Sequence, residues 1–249
     1  LFSSLNEFTS NSHMPQSLTA KASESLSAGP NEDGATESAT SMVDDVYNAI
    51  LLRIVRGELP SGSLLKSTTL AAQLDVSRTP VVQALAHLTA DGIIAQERNR
   101  RARVRRGAEN WLVELHEMRI LLEPHAAAMA ATQITDEALS DLEALVDAAR
   151  PNDGTTWIEA AKALDYGLHQ IIADNCGSLP IRQTIKKCWS YKSLSYDFGG
   201  DSPEGLKQGY QDHLAITESL KARDPQAASA AMLLHLHNAK RLRVANRIV

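Results

Sequence analysis

The stretch Leu70–Ile94, LAAQLDVSRTPVVQALAHLTADGII, leaves a chain of this kind the fewest ways to fold. Leu70 and Leu74 lie one helical turn apart, and Val81, Leu85 and Leu88 share one face of a second helix that runs up to the apolar pair Ile93–Ile94. Asp75–Ser77 is a tight connection between the two helices, and Asp91–Gly92 closes the second. Ser77 is the natural N-cap, since its hydroxyl can accept a free N–H of the first turn. Pro80 is tolerated there because first-turn N–H groups lack intrahelical partners. Two short helices joined in this way form a helix-turn-helix, whose second helix fits a DNA major groove.

The flanks extend the unit. Ile93–Ala95 and Ala102–Val104 are β-favourable and enclose QERNRR, and Leu64–Leu65 is expected to pair with them as a third short strand. Six arginines stand between Arg98 and Arg106, among them Arg100, Arg101 and Arg103. A hairpin tipped with guanidinium groups suits a wing lying along phosphates, where each contact releases counterions; the plainer alternative is a solvated basic loop. Upstream, Val43, Val46, Ile50, Ile54 and Val55 form one face of a helix over Met42–Gly57. The chain's net charge is −5, yet residues 42–110 hold ten basic against seven acidic side chains, so positive charge gathers where DNA contact is expected.

Aromatic residues make up only 4% of the chain, which favours helices packed on small side chains. Beyond Gly107–Asn110, helical patterns run over residues 109–130, 136–149, 154–175, 179–197, 204–222 and 225–246, broken by Gly, Pro and Asp/Asn clusters. The expected fold is mainly α: a tail over residues 1–41, too poor in spaced apolar positions to order itself, a winged helix-turn-helix over 42–108, and an antiparallel six-helix bundle over 109–249. No apolar run reaches the length of a membrane span, and no leader pattern is evident. Cys176 and Cys188 lack metal-motif spacing and are expected to be reduced thiols in a cytoplasmic protein.

Within the helical part, Asp165 and His169 stand four apart and share a helix face, while His213 and His235 lie on two later helices. If those helices pair antiparallel, all four side chains can meet in the bundle core. Three imidazoles and a carboxylate suit Zn²⁺, with Ni²⁺, Mn²⁺ and Fe²⁺ also compatible. Histidines satisfied within a core are the plainer alternative. A metal-dependent hydrolase or lyase using the same four residues is the rival reading, although nothing else in the bundle is placed like a general base, nucleophile or oxyanion hole.

IVRGELPSGSLL, LAAQLDVSRTPVVQALAHLTADGII and RARV, within Val43–Arg106, resemble the winged-helix domain of GntR-family bacterial transcription regulators. MRILLEPHAAAMAA, LDYGLHQIIADNCGSLPI and DHLAITESLKARDPQAASAAMLLHL resemble the ligand-sensing FCD domain of the FadR-type members, and six helices fit its VanR-like branch. The resemblance implies DNA contacts at Arg78 and Thr79, beside Ser77, and at Lys66 and Thr68. It implies a divalent ion on Asp165, His169, His213 and His235. It also implies that Arg119 binds a small carboxylate effector, against which stands an ion pair with Glu123, one turn on. The implied protein is a homodimeric repressor that reads a palindromic operator and answers to that effector. The chain departs from the family wording at Val82 and Gln83, where Arg-Glu is usual, at Arg101, where the wing has glycine, and at Leu168 and Ser178, where Phe and Asn are usual.

Overall fold

A computed structural model describes residues 33–96, 101–191 and 202–246, with side chains described from Met42 to Arg241 within those ranges. The chain divides into Leu1–Ser38 and Ala39–Val249. Within the second unit, two apolar cores form.

The first core is built on helix α1 (Asp33–Val55), where Val43, Val46, Tyr47, Ile50, Leu51 and Ile54 make a buried stripe. The helix starts nine residues before the expected Met42, inside the stretch read as a tail. No proline lies between Asp33 and Val55, and a helix nucleated by a buried face propagates until something breaks it. It ends at Gly57, which takes a left-handed φ of 77°. Strand β1 (Leu64–Leu65), helix α2 (Ser67–Leu74), helix α3 (Arg78–Ala90), strand β2 (Ile94–Ala95) and strand β3 (Ala102–Val104) complete this half. The sheet order is β1-β3-β2, antiparallel throughout, with Leu65 opposite Ala102 and Ile94 opposite Val104. Strands this short cannot hold themselves together. The fully buried Ile50, Leu51, Ile54, Leu88, Ile93 and Ile94 hold the unit, each contributing about 1.5–3 kcal/mol relative to exposure.

Asp75 at φ 53° makes the tight connection between α2 and α3. Ser77 occupies the N-cap position of α3 with extended backbone, but its side chain makes no capping hydrogen bond, contrary to expectation. The reason is local: Pro80 stands at the third helical position and removes one of the two N–H groups such a cap reaches.

After a 3₁₀ turn (Ala108–Asn110), six helices follow among the described residues: α4 (Trp111–Gln133), α5 (Asp136–Ala148), α6 (Thr156–Asn175), α7 (Leu179–Ser190), α8 (Pro203–Lys221) and α9 (Pro225–Asn246). The expected helix over 179–197 ends at Ser190, and its residues 192–197 lie outside the described residues. Thr135 and Ser202 cap α5 and α8 through their hydroxyls, and the Asp224 carboxylate accepts the N–H groups of Gln226 and Ala227 at the start of α9. Buried Ala126, Ala127, Ala130 and Ala131 give α4 a smooth stripe against α6 and α9, so those backbones approach closely. The bundle core, from Ala126 to Leu236, encloses one polar cluster. No helix of the described residues is long and apolar enough to cross a membrane.

The two cores meet at the end of α7. Tyr191 packs into the first core and stacks on Tyr47 at 5.5 Å between ring centroids. Both hydroxyls donate to Asp91, the C-cap residue of α3, at 2.7 and 2.8 Å, and Lys187 pairs with the same carboxylate.

Candidate metal centre and nucleic-acid interface

Asp165 and His169 project from α6 on the stripe that also buries Ala161, Leu164, Leu168 and Ile172, which is why a polar pair ends up inside the bundle. His213 comes from the middle of α8 and His235 from α9. All four are buried, and one ligand atom from each lies within 4.8 Å of every other. The three Nε2 atoms converge on Oδ1 of Asp165, at 3.2 Å from His213, 3.7 Å from His169 and 3.9 Å from His235. Nε2 of His169 is 3.2 Å from Nε2 of His235. A tetrahedral ion with nitrogen ligands at about 2.05 Å would hold its ligand atoms about 3.3 Å apart, so these separations fit a divalent cation. Beyond its 3.2 Å approach to Asp165, Nε2 of His213 is buried without a well-formed hydrogen bond, a position that costs free energy unless something accepts its lone pair or its proton.

The electrostatics agree with that donor set. Burial pushes the His169 imidazole down to about 4, against the pull of Glu123, and burial together with His213 pushes His235 down to about 3. Both rings are therefore neutral at physiological pH, the form in which imidazole is a ligand.

Behind His169 stands Glu123 of α4. Its Oε2 is 2.5 Å from Nδ1 of His169, and its Oε1 accepts from Arg119 Nε at 2.6 Å and Trp189 Nε1 at 3.0 Å. Burial alone would raise the Glu123 carboxyl, but the charge of Arg119 and the hydrogen bonds from Arg119 and His169 outweigh it and hold the group far below the usual carboxylate range. An Nδ1–H donated to Glu123 leaves the lone pair of His169 on Nε2, facing Asp165. Trp189 covers the ring at 4.4 Å between centroids and carries the Arg119 guanidinium over its own face at 4.2 Å. Asp212, held by Gln208 and Asn238, lies 3.7 Å from Nδ1 of His235, too far for a hydrogen bond.

Arg119 forms the ion pair with Glu123 through a buried side chain. In the sequence Glu123 is legible as a partner for Arg119, but its contact with His169 is not. The signal for the pair is its place one turn from Arg119 on the same face. Trp189 and Asp212 gave none, because both contacts are tertiary. His237 and His125 are exposed, and His116 sits 2.9 Å from the Leu236 carbonyl, all apart from the cluster.

On the first core, Ser77, Arg78 and Thr79 are exposed at the start of α3. Lys66, at the N-cap of α2, together with Thr68 and Arg101 lines an open groove of about 420 Å³ between the two helices and the wing. Arg103 is exposed but folds back, donating to the Gly62 carbonyl at 2.6 Å. Arg100 lies outside the described residues.

Comparison with known proteins matches residues 42–104 to the model for bacterial regulatory proteins of the gntR family, and residues 114–238 to the FCD domain. The chain is 27% identical over 203 residues to the "Probable D-xylose utilization operon transcriptional repressor" of Paenarthrobacter nicotinovorans, covering 79% of this chain and 86% of that one. It is 26% identical over 209 residues to the HTH-type transcriptional repressor NanR of Cronobacter sakazakii, covering 74% and 78%. Its fold is similar to that of McbR/YncC of E. coli, with a TM-score of 0.57 at 19% identity over 83% of this chain and 98% of that one.

Proposed function

The chain belongs to the gntR family of bacterial regulatory proteins, with an FCD domain behind its winged helix-turn-helix, and from that membership we propose that it is a metal-dependent, acid-responsive repressor. The family and the relatives' names are those of transcription regulators, so the hydrolase or lyase alternative does not stand. DNA binding follows from the gntR-type helix-turn-helix. The proposal assigns residues 42–108 to DNA binding and 109–249 to sensing and homodimer formation, with residues 1–41 as a leading tail. Two copies of α3 would then read the half-sites of a palindrome.

The observation that carries the sensing part is the buried convergence of Asp165, His169, His213 and His235 on one point. These four would hold a divalent ion, Zn²⁺ first by its preference for tetrahedral nitrogen and oxygen donors. When bound, such an ion supplies a Lewis-acid centre that attracts an organic carboxylate. The chain's own part is orientation. Glu123 fixes the tautomer of His169, Asp165 gives the Nε2 atoms a common focus, and Trp189 excludes water from that side. Arg119 remains the side chain assigned to the effector's carboxylate, for which Glu123 is the internal competitor.

The test is elemental analysis of the purified chain, with melting curves scanned against small carboxylic acids with and without chelator. Stoichiometric metal, and an acid that raises the melting temperature of the loaded form alone and weakens operator binding, is the expected result. His213→Ala is expected to abolish metal content. Unchanged metal content in that variant, or no metal in the parent chain, would overturn the sensing reading and leave DNA binding in place.

A further inference from the structure

We infer that Val82 and Gln83 set the base preference of α3, Val82 by packing on the methyl of a thymine and Gln83 by pairing with the edge of an adenine. The inference rests on the DNA-binding part of the reading above. Helix α3 buries Val81, Ala84, Leu85 and Leu88 in the first core, which turns Arg78, Thr79, Val82, Gln83 and Ala86 outward. Arg78, Val82 and Ala86 follow one another at single-turn intervals, with Thr79 and Gln83 on the adjoining row.

Val82 is 50% exposed, and it lines a groove whose rim carries Lys66, Ser67, Thr68 and Arg101 and whose floor includes the buried Leu65 and Leu85. A lone exposed valine on a helix is ordinary. This one sits amid cationic and hydroxyl groups of the kind that take phosphate oxygens. An isopropyl group cannot take a phosphate, because it would strip water from the anion and return no hydrogen bond. The apolar feature of the major-groove floor is the thymine C5-methyl. Valine has one strongly preferred rotamer on a helix, so that contact is preformed. The Gln83 amide offers a donor and an acceptor together, the pattern that adenine N6 and N7 complement. Each half-site is thereby expected to carry A·T pairs under the middle of α3, next to the base met by Arg78.

The experiment selects binding sites from a randomised duplex pool with the full chain, and with Val82→Ala, Val82→Arg and Gln83→Ala, then replaces each selected thymine in turn with deoxyuridine. All three substitutions are on the surface, so melting curves matching the parent chain are expected. One deoxyuridine per half-site should weaken parental binding about fourfold, the worth of one buried methyl, and leave Val82→Ala unaffected. Val82→Arg should exchange the A·T pair at that position for G·C. A parental motif insensitive to every deoxyuridine, or the same motif selected by Val82→Arg and Gln83→Ala, would overturn this inference and leave the regulator intact. If the parent chain enriches no motif, sequence-specific DNA reading fails, and the inference with it.

Discussion

Glu123 receives His169, Arg119 and Trp189 on one fully buried carboxylate, so its removal acts on two properties that can be measured apart. Partners of this kind typically govern metal affinity by ten- to a hundredfold. Glu123→Gln is therefore expected to weaken metal binding by about that factor in competition with a chromophoric chelator; unchanged affinity would remove Glu123 from the site. The same substitution leaves the Arg119 charge buried and unpaired, a loss of about 3–5 kcal/mol in chemical unfolding. The double variant Arg119→Met/Glu123→Gln should recover part of that loss without restoring the affinity. The thiols make a simpler case. Cys176 and Cys188 are both buried, and burial pushes the Cys188 thiol up to about 11. At pH 8 the folded chain should consume no iodoacetamide and the unfolded chain two equivalents, whereas fast labelling of the native protein would contradict the packing.

At the scale of elements, α7 touches both ends of the proposed mechanism. Trp189 lies against His169, while Lys187 and Tyr191, two positions either side, hold Asp91 at the end of α3. Tyr191→Phe is expected to leave metal content unchanged and to diminish the effect of the acid on operator binding; an undiminished effect would show that α7 does not transmit it. Burial raises the Asp91 carboxyl, but Lys187 and the two tyrosine hydroxyls outweigh it, so the folded value lies below the ordinary one. A lowered carboxylate contributes stability that is present above its unfolded value and lost as pH falls through the folded one. The parent chain should therefore lose stability more steeply in acid, below about pH 4, than Asp91→Asn, and parallel curves would refute the contact. Gly177 ends α6 at φ 69°, and a Cβ there would lie 2.6 Å from the Gln133 side chain. Gly177→Ala should cost about 1–2 kcal/mol in chemical unfolding.

For the whole molecule, a net charge of −5 and a DNA-binding role are compatible because the charge is divided along the chain, with the basic excess confined to residues 42–110. Non-specific affinity then depends on few cations, and its fall with salt scales with the number of phosphates they meet. If Arg101 meets a phosphate, Arg101→Ala lowers the slope of log affinity against log salt by about one; an unchanged slope would take it off the backbone.

Periodicity in the sequence determined the helices and the division of apolar faces, because each depends on residues within a turn or two of one another; the wing strands were marked only as short β-favourable pieces beside turns. The stripe of α3 that turns inward was readable from Val81, Leu85 and Leu88 alone. The four-residue cluster was nameable for a related reason: Asp165 and His169 share one turn, and His213 and His235 sit at matched depths of two helices. Two things needed the tertiary structure. The early start of α1 at Asp33 came from a buried face propagating a helix beyond its own apolar residues. The choice of Glu123 as partner to both Arg119 and His169, beneath Trp189, required four side chains from three helices to be placed against one another, and no local interaction specifies that arrangement.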